Sequence, residues 1–146
     1  MRKVGPTVAD LVIDASVTLG WLFEDKARVS AIESVLGDST LIAPSLWRLE
    51  VVNAILVKER RKQLTPSQGT RFLQILEALD IEVVGDPKNR SMEQLALIAR
   101  PHQLSAYDAV YLELATATAL PLWTYDRNLR IAARRIGVDL VDDTKA

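Results

Sequence analysis

Apolar residues along the chain fall into two alternating patterns, short continuous runs and longer segments with helical spacing. The short runs, which are typical of buried strands, lie at residues 11–13, 40–43, 81–84, 120–124 and 140–141. Between them, apolar residues recur every three or four positions, which is the spacing of one face of an α-helix. The alternation predicts an α/β fold, with strands and helices following one another along the chain.

The segments between the runs also carry signals for helix boundaries. Pro44 and Ser45 predict the start of a long helix that continues to about residue 63, since proline is favoured in the first turn and serine can cap it. Thr65 and Pro66 predict the start of another helix, and Gly137 predicts the end of the last one. Helical spacing also marks residues 27–36, 91–99, 105–119 and 127–136.

Strands that alternate with helices pair in parallel through right-handed crossovers. We therefore predict a central parallel sheet of about five strands with helices on both faces. A chain of 146 residues suits one domain, and no Gly/Ser-rich linker, repeat or low-complexity run divides it. We assign residues 1–10 to an N-terminal lead, 11–142 to the domain and 143–146 to a C-terminal tail.

Two aspartates directly follow predicted strands. Asp14 comes after the run LVI, and Asp126 comes after LPLWTY. Ligands of open α/β sheets bind just beyond the carboxyl ends of the strands, so the topology alone predicts both acids at one edge of the sheet. Each acid also has a structural interpretation, because Asp14 could begin a turn and Asp126 could cap the next helix.

Two further acids lie on predicted helices, on faces that should turn inward. Glu50 has Trp47 and Ala54 among its neighbours three and four residues away. Asp108 lies in the first turn of its helix, with Tyr111 at the same spacing. The structural alternative for Glu50 is an ion pair with an arginine in the half-buried interior. The alternative for Asp108 is a favourable interaction with the helix dipole and the free amides of the first turn.

If these four acids converge, their mutual repulsion must be relieved. Two carboxylates ~4 Å apart repel by about 4 kcal/mol at an effective dielectric near 20, so either some are protonated or a cation lies between them. Oxygen ligands without histidine or cysteine favour Mg²⁺ or Mn²⁺ over zinc. Such a metal suits phosphodiester hydrolysis by an activated water. A glycosidase also pairs carboxylates, but it needs only two and no metal.

The composition of the chain excludes several other kinds of functional site. The absence of cysteine excludes disulfides, thiolate zinc sites and cysteine nucleophiles, and it fits a reducing cytoplasm. The one histidine, His102, lies in a proline-containing connector, where we expect a surface or capping residue and no catalytic triad. No glycine-rich phosphate loop is present. The apolar runs are too short for a membrane helix or a signal peptide, so we expect a soluble, cytoplasmic protein without a membrane association.

The net charge of −1 argues against nucleic-acid binding through bulk charge. Basic residues are nevertheless clustered in two places, and each cluster is either a solvated helix face or a set of phosphate contacts. The clusters are Lys58, Arg60, Arg61 and Lys62, and Arg127, Arg130, Arg134 and Arg135.

Four stretches resemble, in order and spacing, the motifs of PIN-domain ribonucleases. They are VIDASV, APSLWRLEVVNAIL, LSAYDAVYLELA and LWTYDRNLRIAA. The short single-domain form most resembles the VapC toxins of bacterial and archaeal toxin–antitoxin modules, and the resemblance extends from about residue 10 to residue 142. It implies a PIN-like sheet ordered 3-2-1-4-5 and a Mg²⁺-dependent endoribonuclease, with Mn²⁺ as the alternative ion.

The resemblance also implies roles for particular residues. The acidic quartet of the family falls at Asp14, Glu50, Asp108 and Asp126. Asp14 and Asp108 would be the principal metal ligands, directly or through water. The other two acids would complete the cage, hold a second ion or orient the attacking water. Ser16 and Thr124 match small hydroxyl positions beside the site, and Asn53 matches an amide one turn after the glutamate. Capping or packing is the alternative for these three.

Partners follow from the same resemblance, namely an RNA substrate, a homodimer and a cognate VapB-like antitoxin that blocks the acidic pocket. The apolar surface for the antitoxin would combine residues 21–23 (Trp21, Leu22 and Phe23) with the helices at 27–36 and 46–80, unless those residues are core. Two alternatives to a toxin stay open. One is a PIN-type nuclease for RNA maturation or DNA ends, and the other is a non-catalytic module that binds nucleic acid or protein and whose acids are caps.

Overall fold

The computed structural model describes residues 9–37 and 39–142. Strands and helices alternate along this part of the chain, as the apolar pattern predicts. The strands are β1 (Ala9–Ile13), β2 (Ser39–Pro44), β3 (Ile81–Val84) and β4 (Leu122–Trp123). The helices are α1 (Ala15–Phe23), α2 (Lys26–Leu36), α3 (Leu46–Arg60), α4 (Pro66–Glu77), α5 (Met92–Ala99), α6 (Ala106–Thr118) and α7 (Arg127–Ile136). A 3-10 turn, Arg100–His102, follows α5.

The four strands form one parallel sheet in the order β3-β2-β1-β4. This confirms the predicted α/β architecture and the order of its first four strands. Where we predicted a fifth strand, the described residues contain a single parallel bridge between Leu140 and Leu122. The start of β1 takes in residues 9 and 10 of the predicted lead, while residues 1–8 and the tail at 143–146 lie outside the described residues.

The core lies on both sides of the central strand β1. Its residues Leu11, Val12 and Ile13 are all buried, which is typical of a parallel strand covered by helices on both faces. The indole Nε1 of Trp47 in α3 donates a hydrogen bond of 2.9 Å to Thr18 Oγ1 in α1. Both side chains are buried, and a buried polar group without a hydrogen-bond partner would destabilise the fold. This bond gives each of the two groups a partner.

Two predicted helix boundaries need correction. Pro44 is the last residue of β2, paired with Val84 of β3, and α3 begins after it. Ser45 is the N-cap residue, but its side chain makes no capping hydrogen bond. The helix ends at Arg60 and not near residue 63, because Lys62 adopts a left-handed φ of 60°. Within the described ranges, no helix combines the length and apolarity needed to cross a membrane.

Candidate active site

Asp14 lies at the carboxyl end of β1 and is 4% exposed. Two hydroxyl groups donate hydrogen bonds to its Oδ2 atom, Ser16 Oγ at 2.6 Å and Thr124 Oγ1 at 2.7 Å. Burial raises the pKa of Asp14, and these hydrogen bonds, which favour the ionised form, offset only part of that effect. The acid after β1 is therefore held in place by side chains from two separate parts of the chain.

The same two hydroxyls also connect Asp14 to the segment that follows β4. Thr124 Oγ1 accepts a hydrogen bond of 3.0 Å from the backbone amide of Asp126. Ser16 Oγ accepts one of 3.0 Å from the amide of Tyr125. Each hydroxyl donates to Asp14 and accepts from the backbone, so the orientation of each is fixed.

Asp126 begins helix α7 as its N-cap residue. Its Oδ1 atom accepts a hydrogen bond of 2.8 Å from Leu129 N. One of its two carboxylate oxygens therefore caps the helix, as the structural alternative predicted. The other oxygen, Oδ2, makes no hydrogen bond among the described residues. Asp126 is therefore both a cap and a partly exposed carboxylate at the edge of the sheet.

Glu50 lies on α3 and is half-buried, and its Oε1 atom accepts a hydrogen bond of 2.6 Å from the hydroxyl of Tyr111. Tyr111 itself is fully buried in α6. The sequence does not predict this contact, although a buried tyrosine hydroxyl usually has a hydrogen-bond partner. Burial is the largest cause of a raised pKa at Glu50 and of a strongly raised pKa at Tyr111.

The predicted alternative for Glu50, an ion pair with an arginine, is absent from the described part of the chain. The ion pairs found there join Arg48 to Glu77, and Arg90 to Asp86 and Glu113. Neither Glu50 nor the other three acids of the quartet takes part in one.

Asp108 is half-buried in the first turn of α6. The N-cap residue of this helix is Ser105, whose Oγ accepts a hydrogen bond of 3.1 Å from Asp108 N. Burial raises the pKa of Asp108, and the negative charges of Asp126 and Asp14 raise it further. Asp14 and Asp108 likewise raise the pKa of Glu50. The carboxylates are therefore close enough to affect one another, and among the described residues no lysine or arginine forms an ion pair with them.

The side-chain donors of this site are all carboxylate oxygens. Among residues 9–37 and 39–142, no group of three or more acidic or histidine side chains is arranged to hold a metal as the side chains stand. The chemistry nevertheless fits Mg²⁺, which usually keeps several waters and needs only one or two direct carboxylates. Burial and mutual repulsion disfavour the ionised form of these carboxylates, and a nearby cation stabilises it. The set therefore suits a hydrated divalent ion and not a closed protein cage.

Two other predicted residues lie apart from these contacts. Asn53 is exposed on α3, and its side chain makes no hydrogen bond in the described ranges. His102, predicted as a surface or capping residue, is partly buried in the 3-10 turn, and its Nδ1 has no partner among the described residues.

A family model described as the PIN domain matches residues 11–135. Three solved structures share the fold. PAE2754 from Pyrobaculum aerophilum has a TM-score of 0.66 and 23% identity over 88% of this chain and 87% of its own. FitAcB from Neisseria gonorrhoeae has a TM-score of 0.64 and 17% identity over 93% and 99%. VapBC2 from Rickettsia felis, bound to a DNA fragment from its promoter, has a TM-score of 0.64 and 14% identity over 90% and 97%.

At these identities the three structures show a common fold. No curated protein sequence gives a significant match to the chain.

Proposed function

This chain belongs to the PIN domain family, and from that premise we propose that it is a Mg²⁺-dependent endoribonuclease, the toxin of a VapBC-type toxin–antitoxin module. PIN domains are generally nucleases and typically use divalent metal ions. The observation that supports the proposal best is that Asp14 and Asp126, which follow β1 and β4, lie close to Glu50 of α3 and Asp108 of α6. Burial raises the pKa of Asp14, Glu50 and Asp108, repulsion adds to it at Glu50 and Asp108, and no ion pair of the described residues offsets these effects.

Asp14 and Asp108 would hold the Mg²⁺ ion, directly or through water, and Mn²⁺ is the alternative ion. When bound, the ion would polarise the scissile phosphoryl oxygen and lower the pKa of a bound water. Glu50 and Asp126 would complete the site or orient the water for in-line attack. The hydrogen bonds orient three of these acids, because one oxygen each of Asp14, Glu50 and Asp126 is fixed by a donor.

The remaining residues of the site would keep those acids in position. Ser16 and Thr124 both donate to Asp14 Oδ2, which leaves Oδ1 without a hydroxyl partner. Tyr111 fixes Glu50 Oε1 and leaves Oε2 without a hydrogen bond in the described ranges. Asn53 makes no comparable contact. No hydrogen bond therefore supports the role that the resemblance implies for it, in contrast to the two hydroxyls.

A cognate VapB-like antitoxin, a homodimer and an RNA substrate in the cytoplasm complete the proposal. Two of the fold relatives, FitAcB and VapBC2, carry names of this kind of module. On α3, Leu49, Val52 and Leu56 are exposed and lie at helical spacing on one face, and we call them the α3 stripe. By contrast, residues 21–23 pack against the core while only partly buried, so the α3 stripe is the better surface for a partner.

The test is a cleavage assay on the purified protein. RNA should be cut with Mg²⁺ or Mn²⁺, left intact with EDTA, and left intact by Asp14→Asn or Asp108→Asn. Asp80→Asn is the matched control, since Asp80 is exposed and belongs to none of the contacts above. Undiminished cutting by both site variants would contradict the mechanism.

Further measurements separate the alternatives. Growth arrest on expression, relieved by the product of a small neighbouring gene, distinguishes a toxin from a PIN nuclease of RNA maturation. Calorimetry without Mg²⁺ or Mn²⁺ binding at millimolar concentrations would support a non-catalytic module instead.

A further inference from the structure

A cavity of about 660 Å³ is bounded by α2, the β4–α7 connection, α7 and residues 137–142. This volume lies within the range of roughly 300–1,000 Å³ that ligand pockets occupy. Three arginines and a tyrosine from α2, the β4–α7 connection and α7 line one part of it, namely Arg28, Tyr125, Arg130 and Arg134. Residues 137–142 line the rest, including Asp139 and Asp142. We call it the arginine cavity.

The arginine cavity and the acidic site share a stretch of backbone. Tyr125, which lines the cavity, lies between Thr124 and Asp126, and its amide donates to Ser16 Oγ. Arg130 Nη1 donates a hydrogen bond of 2.8 Å to the carbonyl oxygen of Thr124. The cavity therefore adjoins the acidic site through residues 124–126, which supports placing neighbouring parts of one bound polymer in both.

Arg28 and Tyr125 form a stacked platform in this cavity. The guanidinium carbon of Arg28 lies 4.1 Å from the centroid of the Tyr125 ring. Gly20 in α1 permits the ring to lie close, because a Cβ there would come within 3.3 Å of Tyr125 Cε2. Guanidinium and aromatic planes are the surfaces on which proteins stack unpaired bases.

We propose that the arginine cavity binds the nucleotide adjacent to the scissile phosphodiester of single-stranded RNA. The base stacks on the Arg28–Tyr125 platform, and its phosphate lies against Arg130 and Arg134. This inference rests on the proposed function and places an unpaired base at the platform, because stacking on guanidinium and aromatic planes is how proteins bind unpaired bases.

The mixed charges of the cavity favour binding of a single nucleotide over binding of several consecutive phosphates. Three arginines face two aspartates, Asp139 and Asp142, on the remaining wall. Carboxylates repel a continuous phosphate backbone or an acidic peptide, whereas they accept hydrogen bonds from the amino and imino groups of bases.

The experiment measures binding of a labelled single-stranded RNA of ten nucleotides in EDTA, so that cutting does not interfere. Arg134→Ala is compared with Arg135→Ala, the exposed neighbour on α7, which does not line the cavity within the described residues. We expect Arg134→Ala to weaken binding and to reduce the slope of log K against log salt by about 0.7, the value for one phosphate contact on a single strand. Arg135→Ala should change neither.

A second pair of variants tests the platform. Arg28→Ala should weaken binding by about 2- to 30-fold, the range of a cation–π contact. Arg28→Lys keeps the charge without the planar group, and we expect it to bind as weakly as Arg28→Ala, with the salt slope of wild type in both variants. A duplex of the same length should bind wild type more weakly and lose little affinity in Arg28→Ala. Thermal midpoints of all variants should match that of wild type.

The outcomes separate this inference from the nuclease proposal. Unchanged RNA binding by Arg134→Ala and Arg28→Ala overturns the nucleotide site, even if wild type cuts RNA. The nucleotide site is also overturned if Arg134→Ala and Arg28→Ala weaken binding to a partner protein but leave RNA binding intact. If wild type cuts no RNA but these variants weaken its binding while Arg135→Ala does not, the nucleotide site is supported and the proposed function fails.

Discussion

Thr124 lies 110 positions after Asp14 in the sequence, and its Oγ1 atom donates a hydrogen bond of 2.7 Å to Asp14 Oδ2. The same oxygen accepts a hydrogen bond from the amide of Asp126. The parallel register that sets Ile13 opposite Trp123 brings these residues together at the carboxyl ends of β1 and β4. One buried hydroxyl therefore fixes the position of one acid relative to the backbone of the other.

Replacing this hydroxyl should destabilise the fold. Thr124→Val keeps the shape but leaves Asp14 with one hydroxyl donor fewer and the Asp126 amide without its acceptor. We expect the free energy of unfolding to fall by about 1–3 kcal/mol, the cost of leaving a buried polar group unpaired. Urea denaturation measures it. Thr118→Val is the control, because the Thr118 hydroxyl is exposed on α6 and bonds only helix carbonyls. Equal losses in both variants would contradict this explanation.

Removing the hydroxyl of Tyr111 should alter the pH dependence of cutting. The hydrogen bond from Tyr111 lowers the pKa of Glu50, so Tyr111→Phe should raise it further. If the reaction needs ionised Glu50, the acidic limb of the pH profile of kcat/KM moves to higher pH. Tyr107→Phe, at an exposed position on the same helix, should leave the limb in place. A fall in rate without a shift of the limb would show that Tyr111 acts only through packing.

The sequence predicts the α/β alternation well because buried strands and amphipathic helices have different periods. It fails at α1, where the segment ASVTLGWLF is apolar on nearly every side and gives no helical contrast. The fifth strand is reduced to one bridge at Leu140. Its neighbour β4 has only two residues, so little backbone is available for pairing, and an apolar run cannot reveal that.

The acids of the site could be proposed from their positions after strands or on inward helix faces. Their partners could not be derived in the same way. Tyr111 donates to a glutamate 61 positions away, whereas helical spacing relates a residue only to its own turn. The hydroxyls of Ser16 and Thr124 were suggested by the family resemblance alone, because nothing in a serine or a threonine distinguishes a partner of a carboxylate from a cap.

Three raised carboxyl pKa values predict how stability varies with pH in the metal-free protein. Burial is the main cause at Asp14, Glu50 and Asp108, and the unfolded values are about 3.9 and 4.3. Between the raised folded values and these unfolded values, the folded state binds more protons. Stability should therefore increase as the pH falls from 7 toward about 4.5.

Unfolding in EDTA across that range measures the effect. Asp14→Asn should stabilise the protein at pH 7 and flatten the pH dependence, while Asp80→Asn should do neither. A protein that loses stability over the whole range would show that these acids are compensated in solution.

Divalent metal should reverse this trend. Mg²⁺ stabilises the ionised acids, so binding at 100 times Kd adds about 2.7 kcal/mol to the free energy of unfolding. For a domain of this size, the thermal midpoint should rise by about 5–11 °C. The rise should be smaller at pH 5 than at pH 7.5, because protons compete with the ion. It should vanish in Asp14→Asn and persist in Asp80→Asn, and an equal rise in all three would indicate non-specific binding.

The α3 stripe should carry affinity for the antitoxin. Leu49 is 74% exposed, and Val52 and Leu56 lie on the same face of the helix. Burying a leucine side chain contributes about 1.5–3 kcal/mol, so Leu49→Ala should weaken the complex by about 10- to 150-fold in calorimetry. Leu97→Ala on α5 is the control, since it is also exposed but lies on another helix. If Leu49→Ala changed self-association in sedimentation and left antitoxin affinity unaltered, the stripe would be a dimer contact instead.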